Sequence, residues 1–495
     1  VSGLDRAARG VLLAGFAGPD VPRWLPEELE LGLGGVCLYG NNVAPGRDLA
    51  ELARTVRGLA GTAVLAVDEE GGDVTRLHVT TGSPYAGPAV LGRLDSPSVT
   101  RAVATGIGAE LAAAGIWLDL APCADVNSDP LNPVIGTRSF GADPALVARH
   151  TVAFVEGLAA AGVAASVKHF PGHGDTRTDS HHAVPTVRAG REVLHERELV
   201  PFAAAVRAGA ATVMTSHVVI EALDPDRPAT FSPVLLQDVL RGELGFEGVV
   251  VTDALDMAGA QGDGGMPGAA VRALAAGADL LCLGPGTDEG PLVVRRVARA
   301  IAAAVEEGSL PAERLADAAD RVGRLRAAWS GPSDPAGPLP AGPLRTGRAT
   351  TMTSATRATV IAHARQASAR AATALLDGIP SLPAARVIHL ETGTSPAVGQ
   401  TAWGLVGADT PRLLPSALAA TALPQGPTLL LVRGATSDVR VWRWVRETLT
   451  TNPQVWLVEL GWPAPELDRF ERVIRTYGAS AASTTALTRA LGWTP

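Results

Sequence analysis

The chain has 495 residues, more than one ordinary hydrophobic core can organise, so two or three domains are expected. Its composition is globular, 46% hydrophobic and 19% charged, and a net charge of −8 offers neither a basic footprint for nucleic acid nor a polybasic patch for a membrane surface. No apolar run is long enough to span a bilayer. Cys37, Cys123 and Cys282 lie far apart in apolar, strand-like contexts, which predicts buried thiols with neither a disulfide framework nor a CxxC metal site. The first residues carry no secretory signal, so a cytoplasmic location is expected, with secretion the alternative if a leader preceded Val1.

In chain order, residues 1–330 alternate short apolar strands with longer helical stretches. The strands are expected at Val11–Phe16, Gly35–Tyr39, Ala63–Val67, Trp117–Ala121, Ala164–Val167, Thr212–Thr215, Gly248–Thr252 and Ala278–Leu283. Several are continuous Val/Leu runs, as in strands buried on both faces. Helices are expected at Pro144–Ala161, stopped by Gly162, and at Pro267–Ala276, stopped by Gly277. Eight strands and helices in this length predict an α/β fold, a (β/α)8 barrel of the TIM type. Asp68, Asp125, Lys168, His169, His217 and Asp253 fall at or just past strand C-termini, which a barrel gathers on one rim and an open sheet does not. Residues 331–350 are rich in Pro and Gly and read as a linker. Residues 351–495 then read as a second, smaller α/β domain, with a helix around Thr359–Leu376 and strands at Arg386–Leu390, Thr428–Val432 and Val455–Leu460. It has no Gly-rich phosphate loop and no cluster of acids or histidines, and no chemistry is assigned to it.

The chemistry concentrates in Lys168–His182. Four of the ten histidines lie there, together with Lys168, the only lysine of the chain. A sequence that writes Arg everywhere else needs an ammonium point charge at that place. Asp253, straight after Val249–Thr252, has a position set by the sheet and suits a nucleophile; an N-cap for the next helix is the competing reading, and Asp256 the competing carboxylate. Asp179 and His181 form an i, i+2 acid–histidine pair, in which the carboxylate orients the ring and raises its basicity, with His182 as rival. Asp68 and Arg76, flanking Gly71-Gly72, offer an acceptor and a donor fork for hydroxyl groups, and Arg138 lies in a second Pro/Gly-punctuated loop. Salt bridges alone would also account for these arginines. His169, His173, Asp175 and His181 could hold a metal, but Lys168 would set a cation beside it. No metal and no cofactor are expected.

Taken together, Gly34–Tyr39, Asp68–Gly72, Ala121–Asn127, Asn132–Phe140, Lys168–His181, Val213–His217 and Val251–Asp253 resemble family 3 of the glycoside hydrolases, in the β-N-acetylglucosaminidase branch. The run Lys-His-Phe-Pro-Gly-His-Gly-Asp-Thr followed by Asp-Ser-His is the most specific piece. The resemblance implies a barrel with a retaining mechanism, Asp253 as nucleophile and His181, polarised by Asp179, as acid/base. It also implies that Asp68, Arg76, Arg138, Lys168 and His169 grip the hydroxyls and acetamido group of a small amino-sugar substrate. Two positions depart from the pattern: Glu69 and Asp73 stand where many relatives carry Gln and Arg. A β-N-acetylglucosaminide phosphorylase using inorganic phosphate, and an inactive sugar-binding protein, are the alternatives. Because the Asp-x-His pair lies within the barrel half, the second domain need not complete the site.

Overall fold

A computed structural model describes residues 2–44, 46–177, 184–262, 264–286, 290–329, 352–392, 398, 410–418, 421 and 423–493. Eight short strands, all parallel, make the first sheet: β1 (Leu12–Ala14), β2 (Gly35–Leu38), β3 (Val64–Val67), β4 (Leu118–Asp119), β5 (Ala164–Phe170), β6 (Thr212–Thr215), β7 (Val249–Val251) and β8 (Leu281–Cys282). They run β7-β6-β5-β4-β3-β2-β1-β8, and a bridge between Val251 and Leu280 closes the circle. Alternation along each strand explains the apolar runs. Val64, Ala66, Val249 and Val251 pack in the lumen, while Leu65, Val67 and Val250 pack in the cluster beneath the surrounding helices.

The helix Ala312–Trp329 contributes Val322, Leu325 and Trp329 to the lumen cluster. A packed lumen leaves the C-terminal strand ends as the place for a cavity. The helix Pro144–Ala160 ends as expected at Gly162, whose φ is +81°, and Asp143 caps its start by accepting from Leu146 N. The expected fifth strand stopped at Val167; β5 runs on to Phe170, so Lys168 and His169 lie on the strand and not in the loop.

The second sheet is also parallel: β9 (Arg386–Leu390), β10 (Arg412–Leu413), β11 (Thr428–Val432), β12 (Val455–Glu459) and β13 (Val473–Arg475), in the order β10-β9-β11-β12-β13. β10 and β13 had no expectation from the sequence; with two and three residues they carry too little pattern. One face packs on Val439–Thr451 and the other on Ser354–Ala374 and Ala481–Ala490. The long helix begins five residues before the expected Thr359, where Thr353 accepts from Thr356 N. It lies on the barrel helix Pro97–Ala113 so closely that a Cβ at Gly106 would stand 2.2 Å from Ala364 Cβ. The expected linker 331–350 lies outside the described residues.

Candidate active site

A cavity of about 370 Å³ opens at the C-terminal ends of the barrel strands, within the size range of small-molecule sites. Asp68, Arg76, Arg138, Lys168, His169 and Asp253 all line it, with Leu120, Val134, Met214 and Met257 as apolar wall. Asp125 and His217 lie behind it. Asp179 and His181 lie outside the described residues.

The polar wall is an alternating lattice of charges. Lys168 Nζ donates to Asp68 Oδ1 and Glu70 Oε1, each at 2.7 Å. Arg138 meets Glu70 in a two-pronged contact, Nε to Oε2 at 3.0 Å and Nη2 to Oε1 at 2.8 Å. Arg76 Nη2 lies 3.7 Å from Asp68 Oδ2. Burial opposes the charge on Glu70, but Arg138 and Lys168 outweigh it and hold the carboxyl well below the usual range. Burial likewise opposes Lys168, but Asp68 and Glu70 hold its ammonium protonated well above the ordinary value. Reading the sequence missed Glu70. Its signal was a third consecutive acid directly before two glycines, and its importance comes from partners 68 and 98 residues away.

Lys168 and His169 both face the cavity although successive strand residues ordinarily point to opposite faces. The β5–β6 register shifts between Val167 and Phe170, and that irregularity accommodates both. His169 Nε2 lies 3.2 Å from Arg138 Nη2, which can only donate, so Nε2 accepts and Nδ1 carries the proton given to Asp125 Oδ2 at 2.7 Å. Burial opposes ionisation of Asp125, and the hydrogen-bonded His169 outweighs it. Asp125 also accepts from His173 N at 2.7 Å and from Cys123 Sγ at 3.0 Å.

Cys123, Asp125 and His169 are the one group of metal-ligand spacing among the described residues. Burial pushes the Cys123 thiol well up, so it stays a protonated donor to Asp125, whereas a metal needs the thiolate. The trio fits a hydrogen-bonded prop for His169. Of the metal set considered from sequence, His173 Nδ1 bonds Thr176 Oγ1 at 2.7 Å and Asp175 pairs with Arg197.

Asp253 follows β7 by two residues. Thr252 pins that strand end: its N donates to Leu280 O at 3.0 Å and its Oγ1 accepts from Cys282 N at 2.9 Å. Asp253 Oδ1 accepts from Ala254 N at 2.8 Å. The next regular helix starts at Gly265, which removes the N-cap reading. His217 is fully buried and sends Nε2 to Ala254 O at 3.0 Å, so it braces the backbone beside Asp253. Asp256 lines the same cavity, and Gly284, at φ +88°, leaves it room: a Cβ there would lie 2.2 Å from the carboxyl carbon.

The two departures have different explanations. Glu69 is fully buried, with Oε2 accepting from Arg76 N and Leu77 N, and burial pushes its carboxyl up. A carboxyl biased towards its neutral form matches an amide in charge and shape. Asp73 reaches across to the second domain, where Arg433 Nη1 donates to its Oδ2 at 2.8 Å. The second domain therefore touches the loop that carries Arg76, although the described residues lining the cavity all come from the barrel.

Known proteins match this arrangement. Residues 25–325 fit the description "Glycosyl hydrolase family 3 N terminal domain". "Beta-hexosaminidase A" of Pseudoalteromonas piscicida is 33% identical over 337 residues, 61% of this chain and 55% of that protein, so the chain spans about half of that relative's length. "Beta-hexosaminidase" of Stenotrophomonas maltophilia is 36% identical over 283 residues, 55% of this chain and 82% of that protein. Among solved structures, a glycoside hydrolase family 3 beta-N-acetylglucosaminidase from Paenibacillus superposes with a TM-score of 0.80 at 29% identity, covering 100% of this chain and 98% of that one. Beta-N-acetylhexosaminidase from Beutenbergia cavernae gives 0.59 at 32% identity, covering 66% of this chain and 99% of that one. With two domains, a barrel rim of fixed charges and these relatives, the chain belongs to glycosyl hydrolase family 3, in its β-N-acetylglucosaminidase branch.

Proposed function

We propose that the chain hydrolyses terminal N-acetyl-β-glucosaminides, of chitin-type or peptidoglycan-derived amino sugars, with retention of configuration. One observation carries the reading: the carboxylate of Asp253, at a strand end, lines the same cavity as the Asp68–Lys168–Glu70–Arg138 lattice. The lattice supplies directional donors and acceptors for sugar hydroxyls and the acetamido group. Asp253 attacks the anomeric carbon while His181, oriented by Asp179, gives its proton to the leaving oxygen. The imidazole, neutral after that transfer, then takes the proton of the incoming water, and the glycosyl–Asp253 bond breaks. Arg177, one residue before the stretch that carries the pair, bonds Asp129 at 2.6 Å on the loop that follows β4. The names of the relatives support the substrate class.

The test is the first product formed from 4-nitrophenyl N-acetyl-β-glucosaminide, followed by proton NMR with and without phosphate. The expected product is the β-anomer of free N-acetylglucosamine, at a rate independent of phosphate. An α-anomer formed first refutes double displacement at Asp253. A sugar 1-phosphate makes the chain a phosphorylase, and binding without turnover makes it a sugar-binding protein.

A further inference from the structure

We propose that Asp73 is a positioning residue through which the second domain sets Arg76 and Arg138 in the cavity; this rests on the reading that the cavity binds an amino sugar. Asp73 follows Gly71-Gly72, whose φ values of +76° and +63° form a turn, and a Cβ at Gly72 would meet Gly87 Cα at 2.4 Å. The turn is therefore tightly seated, and the Asp73 side chain is 3% exposed. Its carboxylate collects three donors from three places. Thr137 Oγ1, beside Arg138, donates at 2.7 Å. Arg433 Nη1, at the end of β11, donates at 2.8 Å, and Ala479 N, ahead of the helix Ala481–Ala490, at 2.7 Å. Burial opposes its ionisation, and Arg433 outweighs it.

The far side of this contact is itself rigid. Glu459, ending β12, accepts from Gly434 N, Ala435 N and Gly461 N at 2.7, 2.8 and 2.7 Å, which fixes the turn after Arg433. Trp462 lies against Gly136, two residues before Arg138. One buried carboxylate thus joins the loop of Arg76, the loop of Arg138 and two strand-end segments of the other domain. The departure at Asp73 is explained by this role: an arginine there would face Arg433.

The experiment is steady-state kinetics of the full chain on 4-nitrophenyl N-acetyl-β-glucosaminide, with the melting temperature of each variant. Asp73→Asn and Arg433→Ala are expected to raise KM about tenfold with kcat within about threefold, as when grip on substrate and transition state is lost equally. Arg433→Lys, which keeps a cation on the contact, is expected to recover most of that loss. Simple interdomain glue would lower the melting temperature and the active fraction and leave KM alone. An active wild type with KM unchanged in Asp73→Asn and Arg433→Ala overturns the proposal. A wild type that neither turns over the glycoside nor binds N-acetylglucosamine overturns the functional reading, and this inference with it. Should Asp73→Asn not fold, the two Arg433 variants give the same KM comparison from the other side.

Discussion

Glu70 is the hinge of the charge lattice, because Lys168 and Arg138 share it. It is 1% exposed, so removing its charge leaves two buried cations with less compensation than they need. Glu70→Gln keeps the shape and is expected to cost about 3–5 kcal/mol, the range for breaking a buried pair. Denaturant unfolding measures it, and an unchanged midpoint sinks the assignment. Asp253 and Asp256 need a different comparison, since both line the cavity. Asp253→Ala is expected to lower kcat by on the order of 10⁴-fold or more with the fold intact, as when an attacking group is deleted. Asp256→Ala is expected to retain most turnover. Activity lost in Asp256→Ala and kept in Asp253→Ala would name the other carboxylate.

At the scale of elements, the helical stretch Leu194–Glu198 packs beneath the segment that leaves β5. Glu198 Oε1 accepts from Arg197 Nε at 2.6 Å, and Oε2 has no hydrogen-bond partner among the described residues. A Cβ at Gly172 would lie 2.6 Å from that oxygen, so the two segments touch with no room for a side chain. Burial pushes the Glu198 carboxyl from an ordinary 4.5 up to about 7. For an acid raised on folding, the native state holds the proton more tightly. Its contribution to stability is fully present below 4.5 and is lost as pH rises through about 7. The wild-type melting temperature is therefore expected to fall between pH 5 and 8 by an increment that Glu198→Gln lacks. Parallel pH profiles for the two proteins would show that Glu198 is already ionised in the folded chain.

For the whole molecule, two of the contacts between the α/β units differ in character. Near the rim the contact is ionic, through Asp73 and Arg433. Along the helices Pro97–Ala113 and Ser354–Ala374 it is close packing of small residues, with Gly106 against Ala364. The Glu110–Arg365 ion pair on the same helices is 2.6 Å long, with its arginine half-exposed, and adds little. Gly106→Val is expected to overpack this contact at a cost of about 1–3 kcal/mol. A cost near zero in denaturant unfolding would mean that the helices are not seated as described. None of the described helices is long and apolar enough to cross a membrane.

The sequence by itself determined the barrel, because parallel strands buried on both faces must be written as short apolar runs punctuated by helix stops. It also placed Asp68, Asp125, Lys168, His169, His217 and Asp253 on one rim, since strand ends in a closed sheet converge whatever their spacing in the chain, and Asp68, Lys168, His169 and Asp253 of that set line the cavity. The roles of Asp179 and His181 rest on that reading alone. Tertiary structure decided what periodicity cannot encode. β5 extends to Phe170 because its neighbour β6 offers partners that far, through a register shift. His217 and Asp125 turned out to brace the site from behind, which depends on what their ring and carboxyl atoms meet. Glu70 and Asp73 stood in full view beside two glycines, yet their meaning lies in partners up to 406 residues away. A buried charge is defined by the charges that fold onto it, and only the folded chain brings those together.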